Sequence, residues 1–204
     1  MEKFAAERGH AFSQNGLGLN YLRGQGVARD TKEAIKWLNK AAAQALPDAF
    51  ANLGKLYERG DGVAVDYAEA FHWYQKAANF GDTESQLALG YFYRNGTGVK
   101  KDSNIALEWF RKAAQNGNQS AWVVTGAMLM RVEEVTPNYA ESLYWLKKAV
   151  DDARVEHKPY ALIALHYEHG LGVTKNAIEA KKWYALASEN GDKSAVNKLK
   201  GFAK

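Results

Sequence analysis

Apolar residues cluster at the i, i+3, i+4 spacing that lines one face of a helix, as Leu53, Gly54, Leu56 and Tyr57 do. Gly60 follows that stripe as a stop, because glycine accepts the left-handed geometry of a C-terminal cap. After Gly62-Val63 turns the chain, Asp66 stands as an N-cap with Glu69 three residues on, a capping-box arrangement. A second apolar stripe then runs through Ala70, Trp73, Tyr74, Ala77 and Ala78. The pattern predicts two antiparallel helices, A and B, each of about 12–14 residues and ~20 Å long.

That unit recurs. Trp37, Trp73, Trp109 and Trp145 are 36 residues apart and Trp183 comes 38 after the last, while Gly18, Gly54, Gly90 and Gly126, then Ala164, keep their own ladder. The turn reads Gly-x-Gly-Val at 24–27, 60–63, 96–99 and 170–173, but Val132-Glu133-Glu134-Val135 in the fourth copy. N-cap pairs repeat at Asp30/Glu33, Asn138/Glu141 and Asn176/Glu179, whereas Asp102 is followed by Ile105. A helix pair cannot bury its own apolar stripe, so the units must stack.

The expected architecture is all-α: a single solenoid over 1–204. It comprises a partial repeat 1–9, repeats of about 10–45, 46–81, 82–117, 118–155 and 156–191, and a C-terminal capping helix within 192–204. The extra two residues fall between Trp145 and Ala164, and the chain begins inside a repeat.

Composition narrows the function. Hydrophobic residues make up 47% of the chain, enough for a continuous core. The net charge is +4, but the lysines of helices B (Lys36, Lys40, Lys76, Lys112, Lys148) are spread as on a solvated convex face, not clustered as a nucleic-acid footprint. The apolar run 121–130 is too short to span a bilayer and no secretory segment opens the chain, so the expectation is a soluble protein of either the cytoplasm or an exported compartment. Cysteine is absent, which removes disulfides, thiolate zinc sites and thiol catalysis. The Gly-x-Gly-Val turns lack a phosphate-loop lysine. His166 and His169, with Glu168 between them, do not have the zinc-protease spacing. No catalytic, cofactor or metal site is expected.

The unit resembles the Sel1-like repeat, a bacterial-rich relative of the tetratricopeptide repeat. Its signature stands as Leu53-Gly54/Tyr57, Gly60/Gly62-Val63, Ala70/Trp73 and Lys76-Ala77-Ala78. The resemblance implies a right-handed superhelix with helices A on the concave side and a role as adaptor or scaffold. Cysteine-rich exported relatives that bind or hydrolyse β-lactams differ from this chain, which has no cysteine. An enzyme of that kind and a self-associating element built through residues 1–8 are the alternatives to a protein-binding scaffold.

Laying helix A on its tetratricopeptide counterpart points five positions per unit toward the groove. One column reads Arg23, Arg59, Asn95, Arg131 and His169, a row of donors for carboxylates or carbonyls. Beside it stand Leu19, Leu22, Leu87, Tyr91 and Met130, with Lys55, Glu58, Arg94 and Glu168. The expected partner is a protein or peptide segment of acidic and apolar character. The altered fourth unit, through Trp122, Glu133 and Glu134, forms a second candidate recognition patch.

Overall fold

Most helices start just after a residue whose side chain caps the first turn, although His10, Leu46 and Pro159 open theirs without such a bond. The computed structural model describes residues 2–131, 133 and 135–202, and among them all regular structure is helical. The helices are α1 (Glu2–Glu7), α2 (Ala11–Arg23), α3 (Thr31–Ala42), α4 (Pro47–Arg59), α5 (Tyr67–Asn79) and α6 (Thr83–Asn95). They continue as α7 (Ser103–Gln115), α8 (Gln119–Met128), α9 (Tyr139–Asp151), α10 (Tyr160–His169), α11 (Ala177–Glu189) and α12 (Lys193–Gly201). Asp30, Asp66 and Asn176 each accept two backbone N–H groups of the turn they open, as does Asp102 from Asn104 and Ile105.

The capping box is only half formed. The amide of each N-cap residue donates to the helix-A residue nine positions earlier: Asp30 to Tyr21, Asp66 to Tyr57, Asp102 to Tyr93, Asn138 to Leu129 and Asn176 to Tyr167, at 2.8–3.2 Å. The glutamates are thereby released for ion pairs, Glu33 with Lys36 and Glu179 with Lys182.

The chain forms two compact units, Met1–Ala106 and Leu107–Lys204, with the boundary inside α7. In the first, α1 to α6 pack in chain order around Leu38, Leu46, Phe50, Leu53 and Leu56. In the second, α8 to α12 do the same around Leu146, Ile163, Ala164, Tyr184 and Ala195, with α12 closing the end as expected. The ladder glycine sets how closely helix A meets helix B: a Cβ on Gly54 would stand 2.7 Å from the Tyr74 ring, and one on Gly126 2.7 Å from Leu146. The second turn glycine has another purpose. Gly62 and Gly98 lie on the first residue of the preceding helix B, so a Cβ would meet Thr31 Oγ1 at 2.1 Å or the Tyr67 carbonyl at 2.5 Å.

Two irregularities have local causes. Without a glycine to adopt the left-handed cap that Gly24, Gly60, Gly96 and Gly170 supply, α8 ends three residues short of its counterparts. The two-residue insertion lies in loop 152–159, which is lengthened further because α10 also starts three residues late. Pro159 explains that start, since the residue before a proline is disfavoured in a helix. Lys158 restores order there by donating to the free carbonyls of Ala149, Val150 and Asp152 at the end of α9.

Of the helix-B lysines, Lys36, Lys40 and Lys112 are exposed, as expected of a solvated face, and Lys76 and Lys148 are half-buried, but all except Lys36 also lie over a ring. Lys40, Lys76 and Lys112 lie 4.0, 4.3 and 4.8 Å from the ring centroids of the tryptophans one turn earlier, and Lys148 covers both Trp145 and Trp122. Their aliphatic stems shield the indoles while the ammonium meets the negative ring face.

Candidate functional site

In the first unit, α2 and α4 bring the predicted groove residues into one cleft of about 230 Å³. Leu19, Leu22 and Arg23 line one side and Lys55, Leu56 and Arg59 the other. The same cleft takes in Arg29, Asn52 and Asp61, which the helix-A register did not pick out. Arg23 and Arg59 occupy the last turn of their helices, where cations are favoured by the macrodipole. Arg29 comes from the turn, its Cβ packed beside the cap residue Gly24. Among the described residues none of these four cations is ion-paired, and Asn52 is held in place by donating to Asn15 at 2.9 Å.

Glu58 would oppose this charge if it faced the cleft. Instead its carboxylate accepts from the Tyr74 hydroxyl on helix B at 2.6 Å. Burial, the hydrogen bond and the negative charge of Glu58 together raise the Tyr74 pKa, so the phenol stays a donor. Glu168 repeats the bond with Tyr184 at 2.5 Å and adds Lys198 at 3.0 Å. The groove column that sequence assigns to Glu58 and Glu168 is therefore spent, in these two repeats, on tying helix A to helix B.

Other predicted positions divide. Leu87 is buried, Tyr91 is half-buried under the Arg94 guanidinium at 4.9 Å from its centroid, and Arg131 and His169 are exposed, the latter with Nε2 3.6 Å from Glu168. Trp122 is only 4% exposed, and its indole N–H donates to the Ala114 carbonyl at 2.8 Å. Gln14 and Gln86 use their amides in the same way on Ala6 and Ala78. The odd tryptophan is thus a larger donor in a glutamine slot, and a ring so covered presents no face to a partner. Glu133 is exposed, and Glu134 lies outside the described residues.

A polar cluster that sequence reasoning missed lies in the second unit. Ser142 and His166, both 0% exposed, stand where other repeats carry alanine (Ala34, Ala70) and Leu56 or Phe92. Ser142 Oγ is 2.9 Å from His166 Nε2 and 2.7 Å from the Gly126 carbonyl, while His166 Nδ1 is 2.7 Å from the Leu171 carbonyl. A hydroxyl and an imidazole at this distance have the reach of a nucleophile and base, but here they are sealed from solvent. Burial lowers the His166 pKa, opposed by the bond to Leu171. A neutral ring donates from Nδ1 to Leu171 and accepts at Nε2, so the Ser142 hydroxyl divides its one proton between His166 and Gly126. Nearby, Arg111 and Glu141 form a two-pronged pair at 2.7 and 2.6 Å, which holds the carboxyl below its ordinary range. Among the described residues no group of three His, Asp or Glu side chains is placed to hold a metal ion, and no helix is long and apolar enough to cross a membrane.

The Sel1 repeat family model matches residues 11–46, 47–82, 83–118, 129–152 and 160–192, omitting 119–128, the span of α8, and 153–159, in the lengthened loop. Among solved structures, the chain is similar to a protective antigen of uropathogenic Escherichia coli strains displaying an SLR fold. Identity is 35% over 97% of this chain, with a TM-score of 0.83. This chain spans 42% of that protein's length. A Sel1 repeat protein of Oxalobacter formigenes is 29% identical over 96% of this chain and 77% of its own, with a TM-score of 0.73. No curated protein sequence matches the chain. With repeat matches from residue 11 to 192 and paired helices throughout, the chain belongs to the Sel1-repeat family.

Proposed function

We propose that this chain is a non-enzymatic interaction module that holds a protein or peptide segment against its helices A, with the cleft of α2 and α4 as the principal contact. Sel1-repeat proteins generally mediate protein–protein interaction, which supplies the class. The observation that carries the finer reading is the convergence of Leu19, Arg23, Lys55 and Arg59 on one cleft. Cations without internal partners keep their full capacity for an incoming anion, and Leu19 and Leu22 offer apolar area beside them. The segment is accordingly acidic with apolar residues interspersed, and Arg94 on Tyr91 extends the same helix-A column on α6.

Panning a random peptide library against the intact chain tests this directly. Enriched sequences should be acidic and apolar, and should no longer be retained by the Arg23→Glu/Arg59→Glu variant. Enrichment that the double variant retains unchanged refutes the reading.

A further inference from the structure

We infer that the cleft between α2 and α4 is a site for paired carboxylates, presented by acidic residues at alternate positions of an extended peptide with an apolar residue beside them. The inference rests on the helix-A face being the binding surface and specifies what that face recognises.

Four observations lead to it. Four cations line the cleft (Arg23, Arg29, Lys55, Arg59) against one carboxylate, Asp61. Among the described residues none of the five is ion-paired, so the excess positive charge is unanswered within the unit. The other nearby acid, Glu58, is withdrawn onto Tyr74. The volume of about 230 Å³ is smaller than the ~300–1,000 Å³ of sites that enclose a whole small molecule, and suits the ends of side chains.

The arrangement of the cations selects the anion. Arg23, at the end of α2, and Arg29, in the turn after it, belong to one repeat, and Lys55 and Arg59, on α4, to the next, so the cations stand in two groups along the cleft. A phosphate gathers its oxygens around one atom. Alternate residues of an extended strand instead place two carboxylates on the same side, ~7 Å apart, one within reach of each repeat's cations. Planar guanidinium groups match planar carboxylates two bonds at a time. Leu19 and Leu22, on the α2 wall, receive the neighbouring apolar side chain. Asp61 at the margin disfavours a third acid and so limits the charge that the cleft accepts.

The test is titration of the intact chain with a capped, fluorescently labelled peptide bearing glutamates at alternate positions followed by leucine. Matched probes are the same peptide with glutamines, the same peptide with a single phosphoserine in place of both glutamates, and inorganic phosphate as competitor. The glutamate peptide should bind, with affinity falling as salt rises, and the glutamine peptide should not. Arg29→Gln and Arg59→Gln should each weaken it about tenfold, the loss expected for one charge-assisted bond. Lys36→Gln, on helix B and paired with Glu33, should leave it unchanged. The four cleft cations are exposed and can be changed without opening the core, and thermal melts of the variants verify folding.

Stronger binding of the phosphoserine peptide, or displacement by phosphate at the same concentration as by the glutamate peptide, overturns the carboxylate assignment. Equal affinity in wild type, Arg29→Gln and Arg59→Gln overturns the cleft. Library sequences that depend on Leu19 and Tyr91 but carry no acidic pair would overturn this inference while leaving the interaction reading intact. Failure to capture any peptide, from the library or as the glutamate probe, would overturn both.

Discussion

The two units build the same seam from opposite materials. In the first, the helix-B slot is alanine (Ala34, Ala70) and the helix-A slot of the following repeat is apolar (Leu56, Phe92), and all four are buried. In the second, the same two slots hold Ser142 and His166, hydrogen-bonded and equally buried. A repeat scaffold evidently accepts polar atoms in its core if they arrive as a matched pair, because a lone buried donor or acceptor forfeits its hydration without return. The first unit keeps its polarity outside, in the cationic cleft; the second spends some of it internally.

The largest effect should come from crowding the dry unit. Gly54→Val forces side-chain carbon into the Tyr74 ring and should cost about 3 kcal/mol or more in urea unfolding, whereas Ala164→Val, where a methyl group is already accommodated, should cost less. Ser142→Ala should cost about 1–3 kcal/mol by orphaning His166 Nε2. The double variant Ser142→Ala/His166→Leu, which rebuilds the first unit's seam, should regain much of that loss, and a strictly additive cycle would dissolve the comparison.

A pH series separates the units further. His166 has a folded pKa below its unfolded value of ~6.5, so the unfolded chain binds the proton first. Stability should therefore decline as pH falls below ~6.5, with hydrogen exchange accelerating around α10, and His166→Leu should remove that dependence. Glu141 acts in a lower window: its carboxyl, depressed chiefly by the Arg111 hydrogen bond, stabilises above the ordinary glutamate value and ceases to as pH drops through its folded pKa. The smallest change is a gain. Ala45 has φ 57, in a slot where Gly9, Gly81, Gly117 and Gly191 have φ near 90, so Ala45→Gly should raise stability by about 1 kcal/mol in thermal unfolding.

The helix pairs, their caps and the closing helix were all legible in the sequence, because those signals are local and repeated. Arg23, Lys55 and Arg59 could be placed together from register alone, since a helix fixes which residues share a face. Arg29 could not, because a turn residue has no such register. Glu58 was read as groove-facing because spacing gives a direction for Cα–Cβ but not the choice made by a long side chain, here decided by the Tyr74 hydroxyl. Trp122 drew attention by departing from the pattern, yet its slot already held a donor in Gln14 and Gln86, and comparing chemistry across the slot would have revealed the shared role. Ser142 and His166 lie 24 residues apart in different repeats, and each alone looks like drift. Only aligning both slots exposes the pair.

The amide-to-carbonyl bond that closes each turn across nine residues involves no side chain, and it persists in the fourth turn, where both glycines are missing. A junction fastened by backbone alone behaves as a socket. Any segment of the same length whose ends meet its geometry can be plugged in, so these turns are sites for grafting foreign epitopes or metal-binding loops without redesigning the helices they join.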